Sequence, residues 1–220
     1  MDTNIAEDIL KRNNDFEGSK GLVDVPGMSS YRVCNFLNQL VARMDPDETY
    51  LEVGTWKGLT LLSAAHGNHG KRCVGCDKFR LWGKYSGFGP YIRLAFNRNL
   101  RRYRRHSATI HFHAMSYHDL FDRRLVPAPV GVYFYDGNHS AEDTRAGILE
   151  SIPFLNQRAI LVVDDWNGPT VREGTTAALA EGALTVLWER HFDGDGTVDG
   201  WWNGLAVFYL ERQAVNGERA

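Results

Sequence analysis

Four side chains in the second half of the chain have the types and spacing for metal-assisted or acid–base chemistry. Asp136 and His139 stand three apart in the stretch YDGNHS, and Asp164 and Asp165 are adjacent in ILVVDDW. Carboxylates gathered at one place repel one another and lose hydration unless a positive group joins them. Hard oxygen ligands grouped this way suit Mg²⁺, Mn²⁺ or Ca²⁺. An imidazole titrates near neutrality, so His139 can act as a general base beside them. A structural role is open as well, because Ser140 followed three residues later by Asp143 has the form of a helix capping box.

Earlier in the chain, the stretch EVGTWKG carries Glu52, Gly54, Thr55 and Gly58. Glycines let the backbone approach a ligand closely, and a following helix start offers unpaired N–H donors. Neither the G-x-G-x-x-G fingerprint nor a G-x-x-x-x-G-K-[ST] phosphate loop is present. The spacing therefore suits a cofactor without a phosphate. Asp77 lies 23 positions beyond Gly54, where a carboxylate can accept hydrogen bonds from both hydroxyls of a ribose.

These residues all fall at the ends of short apolar runs that alternate with helical stretches: TYLEV, RCVGC, TIHFH with a short link after it, VGVYFY and AILVV. Runs apolar on both faces, alternating with helices, predict a parallel sheet covered on both sides. Two further runs, LTVLWERHF and GLAVFYLER, are joined without a helix, which predicts an antiparallel hairpin at the sheet edge. The expected fold is α/β: a Rossmann-like, doubly wound, seven-stranded sheet, mostly parallel, with an antiparallel C-terminal hairpin and helices on both faces. Ligands in such sheets sit outside the carboxyl ends of the strands. Before the sheet, Val33, Phe36, Leu37, Leu40, Val41 and Met44 fall on one face of a helix that Asp45-Pro46 stops. Residues 1–48 are expected to form a helical cap over the active site or a homodimer contact. Residues 49–212 are expected to form the main α/β domain, a catalytic one if the strand-end residues do chemistry, and 213–220 a tail.

The 220 residues, 43% hydrophobic with net charge −2, describe one globular domain. The near-neutral balance gives no basic field, so nucleic acid is not an expected partner. No apolar run approaches the ~20 residues of a membrane span, and the polar N-terminus lacks a signal-peptide core. Cys34, Cys73 and Cys76 make no disulfide framework, and a reducing cytoplasm is expected. Cys73 and Cys76, three apart on a strand, point to opposite faces and read as core rather than a metal pair. His191-Phe192-Asp193 lacks a following histidine and is set aside.

Together the strand-end residues resemble class I S-adenosylmethionine-dependent methyltransferases, in particular the small-molecule O-methyltransferases with a D-G-x-H motif. The resemblance covers residues 49–210 and is carried by YDGNHSAEDT and ILVVDDW, with EVGTWKG and CDKF in the matching order. It implies that Glu52, Gly54, Thr55 and Gly58 lie along the methionine part of S-adenosylmethionine and that Asp77 holds the ribose. Met115 and Ser116 would meet adenine, and Asp136 would lie against the cofactor as well. By likeness to catechol- and caffeoyl-type enzymes, Asp136, Asp164 and Asp165 would hold a divalent cation, Mg²⁺ first, with His139 as the base. The chain departs from the pattern at Asn138, at Asn156-Gln157-Arg158 and at Asp164. The implied acceptor is a hydroxylated small molecule such as a sugar, a polyphenol or another natural product. Two other readings stand beside it: an NAD(P)-type oxidoreductase, disfavoured by the absent second glycine, and a non-catalytic binding protein on the same fold.

Three features stay open. Trp82, Tyr85, Phe88 and Tyr91 sit among glycines as either a lid or a packed loop. Arg93, Arg98, Arg101, Arg102, Arg104 and Arg105 form either a solvated helix face or a site for an acidic substrate. Trp201 and Trp202 line a pocket or a subunit contact.

Overall fold

The structure is a computed structural model that describes residues 3–14, 22–80, 87–127 and 129–213. The five alternating runs become the parallel strands β1 (Thr49–Val53), β2 (Arg72–Cys76), β3 (Thr109–His113), β4 (Val130–Tyr135) and β5 (Leu155–Asp164). The last two runs are β6 (Leu184–Phe192) and β7 (Leu205–Arg212), antiparallel to each other. The sheet order is β3-β2-β1-β4-β5-β7-β6. The returning strand β7 inserts between β5 and β6, pairing antiparallel with β5. Composition explains the choice: β7 carries the continuous apolar run LAVFYL, which is buried, whereas β6 is largely exposed and suits the edge.

Strand alternation divides the core into two layers. Tyr50, Val132, Phe134, Ile160, Val162, Val207 and Tyr209 face one layer. It is completed by α1 (Thr3–Asn14), α2 (Tyr31–Arg43), α3 (Leu59–Ala65) and α4 (Gly89–Tyr103). Leu51, Tyr133, Tyr135, Leu161, Val163, Phe208 and Leu210 face the other, under α5 (Tyr117–Asp122), α6 (Ala141–Ser151) and α7 (Pro169–Glu181). The segment after β3, expected as a link, is the short helix α5, started by the Ser116 hydroxyl accepting from the Asp119 N–H.

Helix α2 begins where the Ser30 hydroxyl accepts from the Val33 N–H at 3.1 Å. It buries Val33, Phe36, Leu37, Leu40 and Val41 completely. Each such side chain contributes about 1.5–3 kcal/mol of burial free energy. Because these residues share a core with β1, β4 and β5, the apolar packing runs across position 48. The N-terminal helices thus form part of the layer that backs the sheet. Helix α1 is tied to edge strand β6, whose Trp188 indole donates to Glu7 at 2.7 Å.

Cys73 and Cys76 are buried in opposite layers. The arginines from Arg93 to Arg105 are exposed, and Arg102 meets Asp24 at 3.3 Å. Trp201 is core, stacked on Phe192 with ring centroids 4.2 Å apart. Trp82, Tyr85 and residues 214–220 lie outside the described residues. Among the described residues no helix is long and apolar enough to cross a membrane.

Candidate active site

The strand order reverses between β1 and β4, which opens a crevice at their carboxyl ends. The chains leave the sheet in contact there: the Asp136 N–H donates to the Val53 carbonyl at 2.9 Å. Gly54 sits directly against this junction at φ 88°, where a Cβ would run into the Asp136 carbonyl oxygen. No L side chain fits that position without strain. The same turn places Trp56 at φ 47°, its N–H donating to Asp77 Oδ2 at 2.8 Å. Asp77 Oδ1 accepts from the Phe79 N–H at 2.6 Å. Burial raises the Asp77 pKa, opposed by these backbone donors. Each carboxylate oxygen still has a lone pair for a ligand hydroxyl.

Past β4, the loop Gly137–Ser140 is fixed by its own side chains. Asn138 bonds Asp143, and its carbonyl accepts from the Tyr135 hydroxyl at 3.0 Å. The Ser140 hydroxyl caps α6 by accepting from the Asp143 N–H at 3.1 Å, so the capping role exists beside any chemical one. His139 is thereby held with Nε2 at 2.7 Å from Asp165 Oδ2. Asp165 Oδ1 accepts from the Asn203 side chain at 2.9 Å. The hydrogen bond to Asp165 raises the His139 pKa. Burial works to raise that of Asp165, but His139 and Asn203 together bring it below the usual carboxylate range. Asp136 is pushed well above that range, first by burial and then by the charges of Asp164 and Asp165.

Among the described residues, Asp136, His139 and Asp165 each offer a ligand atom within 4.8 Å of the others. Two carboxylates and an imidazole are a donor set that fits a divalent cation. Asp164, expected as a third acidic ligand, stands outside this group. As the last residue of β5 it continues the face of Ile160 and Val162 and is buried, whereas Asp165, at φ 55°, turns out of the strand. Asp164 Oδ1 has no hydrogen-bond partner among the described residues, and burial raises its pKa well above the ordinary value.

Two cavities meet at this point. The larger, about 400 Å³, is lined by Gly54, Asp77, Met115, Ser116 and Asp136 from the expected cofactor set. It is also lined by Trp56, Lys78, Arg80, Tyr117, Asn138 and Asp143, which sequence reasoning did not single out as ligand contacts. The smaller, about 170 Å³, is lined by Thr55, Asp136, His139 and Asp165 together with Met28, Ser29, Trp202 and Asn203. Gly54, Trp56, Asp136 and His139 line both.

Three of the expected cofactor contacts, Glu52, Thr55 and Gly58, are not among the residues that line the larger cavity. Glu52 is fully buried, with the Tyr50 hydroxyl donating to it at 2.6 Å and that of Thr60 at 2.9 Å. Its side chain shares the parity of Tyr50 on β1 and so lies under α3 rather than along a cavity. Gly58 caps α3 at φ 91° and packs toward Phe96 and Leu62. Thr55 borders the smaller cavity instead of the larger. A sequence signal existed for Trp56, between the two glycines of its turn, and for Trp202 in the WWN stretch. None existed for Met28 and Ser29.

The profile of a protein family described as methyltransferase domain matches residues 51–166. The chain belongs to this family, and its fold is that of the class I methyltransferases. Solved structures share the fold at low identity. The O-methyltransferase of Bacillus cereus, in complex with S-adenosylhomocysteine, is 15% identical with a TM-score of 0.60, covering 96% of this chain and 92% of that one. TomG of Streptomyces achromogenes, bound to S-adenosylmethionine and involved in tomaymycin synthesis, is 16% identical with a TM-score of 0.56, covering 97% and 92%. PaMTH1 of Podospora anserina, bound to S-adenosylhomocysteine, is 10% identical with a TM-score of 0.56, covering 97% and 89%. No curated protein matches the chain.

Proposed function

We propose that the protein is an S-adenosylmethionine-dependent O-methyltransferase that methylates a hydroxyl of a small molecule, assisted by a divalent cation at Asp136 and Asp165. One observation carries this reading: two cavities of different size share a wall made of Gly54, Trp56, Asp136 and His139. Methyl transfer is an in-line displacement, so donor and acceptor must approach one point from opposite sides, with reacting atoms about 3–3.5 Å apart. The larger cavity suits the donor, because Asp77 offers two carboxylate oxygens where a ribose would lie, with Met115 and Ser116 beside it. The smaller suits the acceptor.

S-adenosylmethionine supplies an electrophilic methyl whose carbon–sulfur bond breaks as the acceptor oxygen attacks. A divalent cation, which Asp136 and Asp165 would hold, would lower the pKa of that hydroxyl and fix it in place. His139, with Nε2 turned to Asp165, keeps Nδ1 for the departing proton. Asn203 holds Asp165, and the Asn138–Asp143 bond holds the loop that carries His139.

The direct 2.7 Å contact between His139 and Asp165 favours a second reading, in which this pair alone is the base and no cation takes part. Turnover of S-adenosylmethionine on catechols and sugars, with Mg²⁺ and then with chelator, separates the two. Under the first reading chelation removes activity, and Asp165→Ala abolishes the response to Mg²⁺ while S-adenosylhomocysteine affinity stays within about twofold. Full activity in chelator would transfer the proposal to the pair. An Asp165→Ala enzyme that still responds to Mg²⁺ would remove Asp165 from the ligand set.

A further inference from the structure

Five of the thirteen residues that line the smaller cavity lie outside 51–166, the span matched by the family, and they form one wall of it. Met28 and Ser29 come from the segment before α2, and Trp202 and Asn203 from the connection between β6 and β7. These two segments are fastened together: the Tyr31 N–H donates to the Val198 carbonyl at 2.8 Å, and Arg32 Nε to the Asp199 carbonyl at 2.9 Å. Gly27 lies so close to Leu59 that a Cβ there would overlap its side chain. The wall is therefore built into the fold.

Three further observations bear on what it holds. The volume of about 170 Å³ slightly exceeds the roughly 150 Å³ of an engineered cavity that takes one benzene ring. Of the five non-glycine residues with left-handed backbone among those described, Trp56, Asp165 and Trp202 all line it. Such strain persists where surrounding structure imposes it and gathers at ligand sites. Ser29 and Thr55 both line it, and their hydroxyl oxygens are buried without a hydrogen-bond partner among the described residues. Ser30 spends its hydroxyl on capping α2, and Ser29 does not. A buried hydroxyl left unpaired is costly, so this wall calls for a polar ligand group.

We propose that Ser29 and Trp202 determine acceptor specificity. The acceptor enters with a single six-membered ring carrying vicinal hydroxyls, set against the indoles of Trp56 and Trp202. Ser29 hydrogen-bonds a polar substituent other than the hydroxyl that is methylated. This deepens the methyltransferase reading and rests on it.

The test is equilibrium binding, with S-adenosylhomocysteine and Mg²⁺ present, of pyrogallol, methyl β-D-glucopyranoside and 2,3-dihydroxynaphthalene. Either single-ring probe should bind at least about tenfold more tightly than the fused-ring diol, and which of the two binds distinguishes a phenolic from a sugar acceptor. Trp202→Gly, which removes the indole and suits the left-handed backbone, should erase that size preference. Ser29→Ala should weaken the preferred single-ring probe by about tenfold, the scale of one hydrogen bond, while S-adenosylhomocysteine affinity reports an intact fold. Equal binding of the fused-ring diol, absence of binding by both single-ring probes, or indifference to Ser29→Ala would overturn the proposal. Failure of S-adenosylhomocysteine to bind the unaltered protein would instead overturn the methyltransferase reading beneath it.

Discussion

Glu52 is held at a pKa of about 8, pushed up by burial and partly brought back by the hydroxyls of Tyr50 and Thr60. In the unfolded chain the same group ionises near 4.5. Between those values the folded state carries one proton more than the unfolded state, so stability falls as pH rises and levels off above about 8. The slope approaches about 1.4 kcal/mol per pH unit. Glu52→Gln carries no such proton, and urea midpoints at pH 5 and pH 8 should differ less for it than for the unaltered protein; an equal loss in both would contradict this. Residue types and spacing made Asp136, His139 and Asp165 legible as a chemical group. They did not separate Asp165 from Asp164, because which carboxylate leaves the strand depends on the left-handed turn at Asp165, a backbone property that the pair Asp-Asp does not encode. The burial of Glu52 was not legible for a related reason: strand parity, not proximity to the glycine turn, sets the direction of its side chain.

At the scale of elements, the turn from β1 into α3 and the end of β4 form one unit, closed where Gly54 meets the Asp136 carbonyl. Gly54→Ala forces either that contact or a positive φ on alanine. It is expected to lower stability by about 1–3 kcal/mol and to abolish S-adenosylhomocysteine binding, checked by thermal melting beside calorimetry. Helix α2 contributes to stability through its buried apolar face. Leu40 has no exposed surface, and Leu40→Ala should cost about 2–5 kcal/mol in urea titration without altering cofactor affinity per folded molecule. The helix was legible from its 3.6-residue period and the parallel strands from their apolar runs. The placement of β7 inside β6 was written less openly, in the contrast between LAVFYL and the charged β6 sequence. Helix α5 is only six residues long, too short for a periodic pattern to show.

The whole molecule joins a larger cavity lined within the family-matched span to a smaller one that is closed by residues from outside it. Residues 51–166 supply both sides of the larger cavity, and the segments around Ser29 and Trp202 close the smaller one from outside that span. The larger cavity is readable in sequence because it depends on strand-end positions that follow from the sheet. The wall of the smaller cavity is not, since Ser29 and Trp202 are 173 positions apart and come together where α2 is fastened to the β6–β7 connection. The most direct test of the central claim is calorimetric titration of S-adenosylhomocysteine into the purified protein, with Mg²⁺ and again with chelator. Binding at micromolar strength, about −8 kcal/mol, is expected in both conditions, since the larger cavity is complete without the cation. No heat of binding in either condition would contradict the assignment of that cavity and the function built on it.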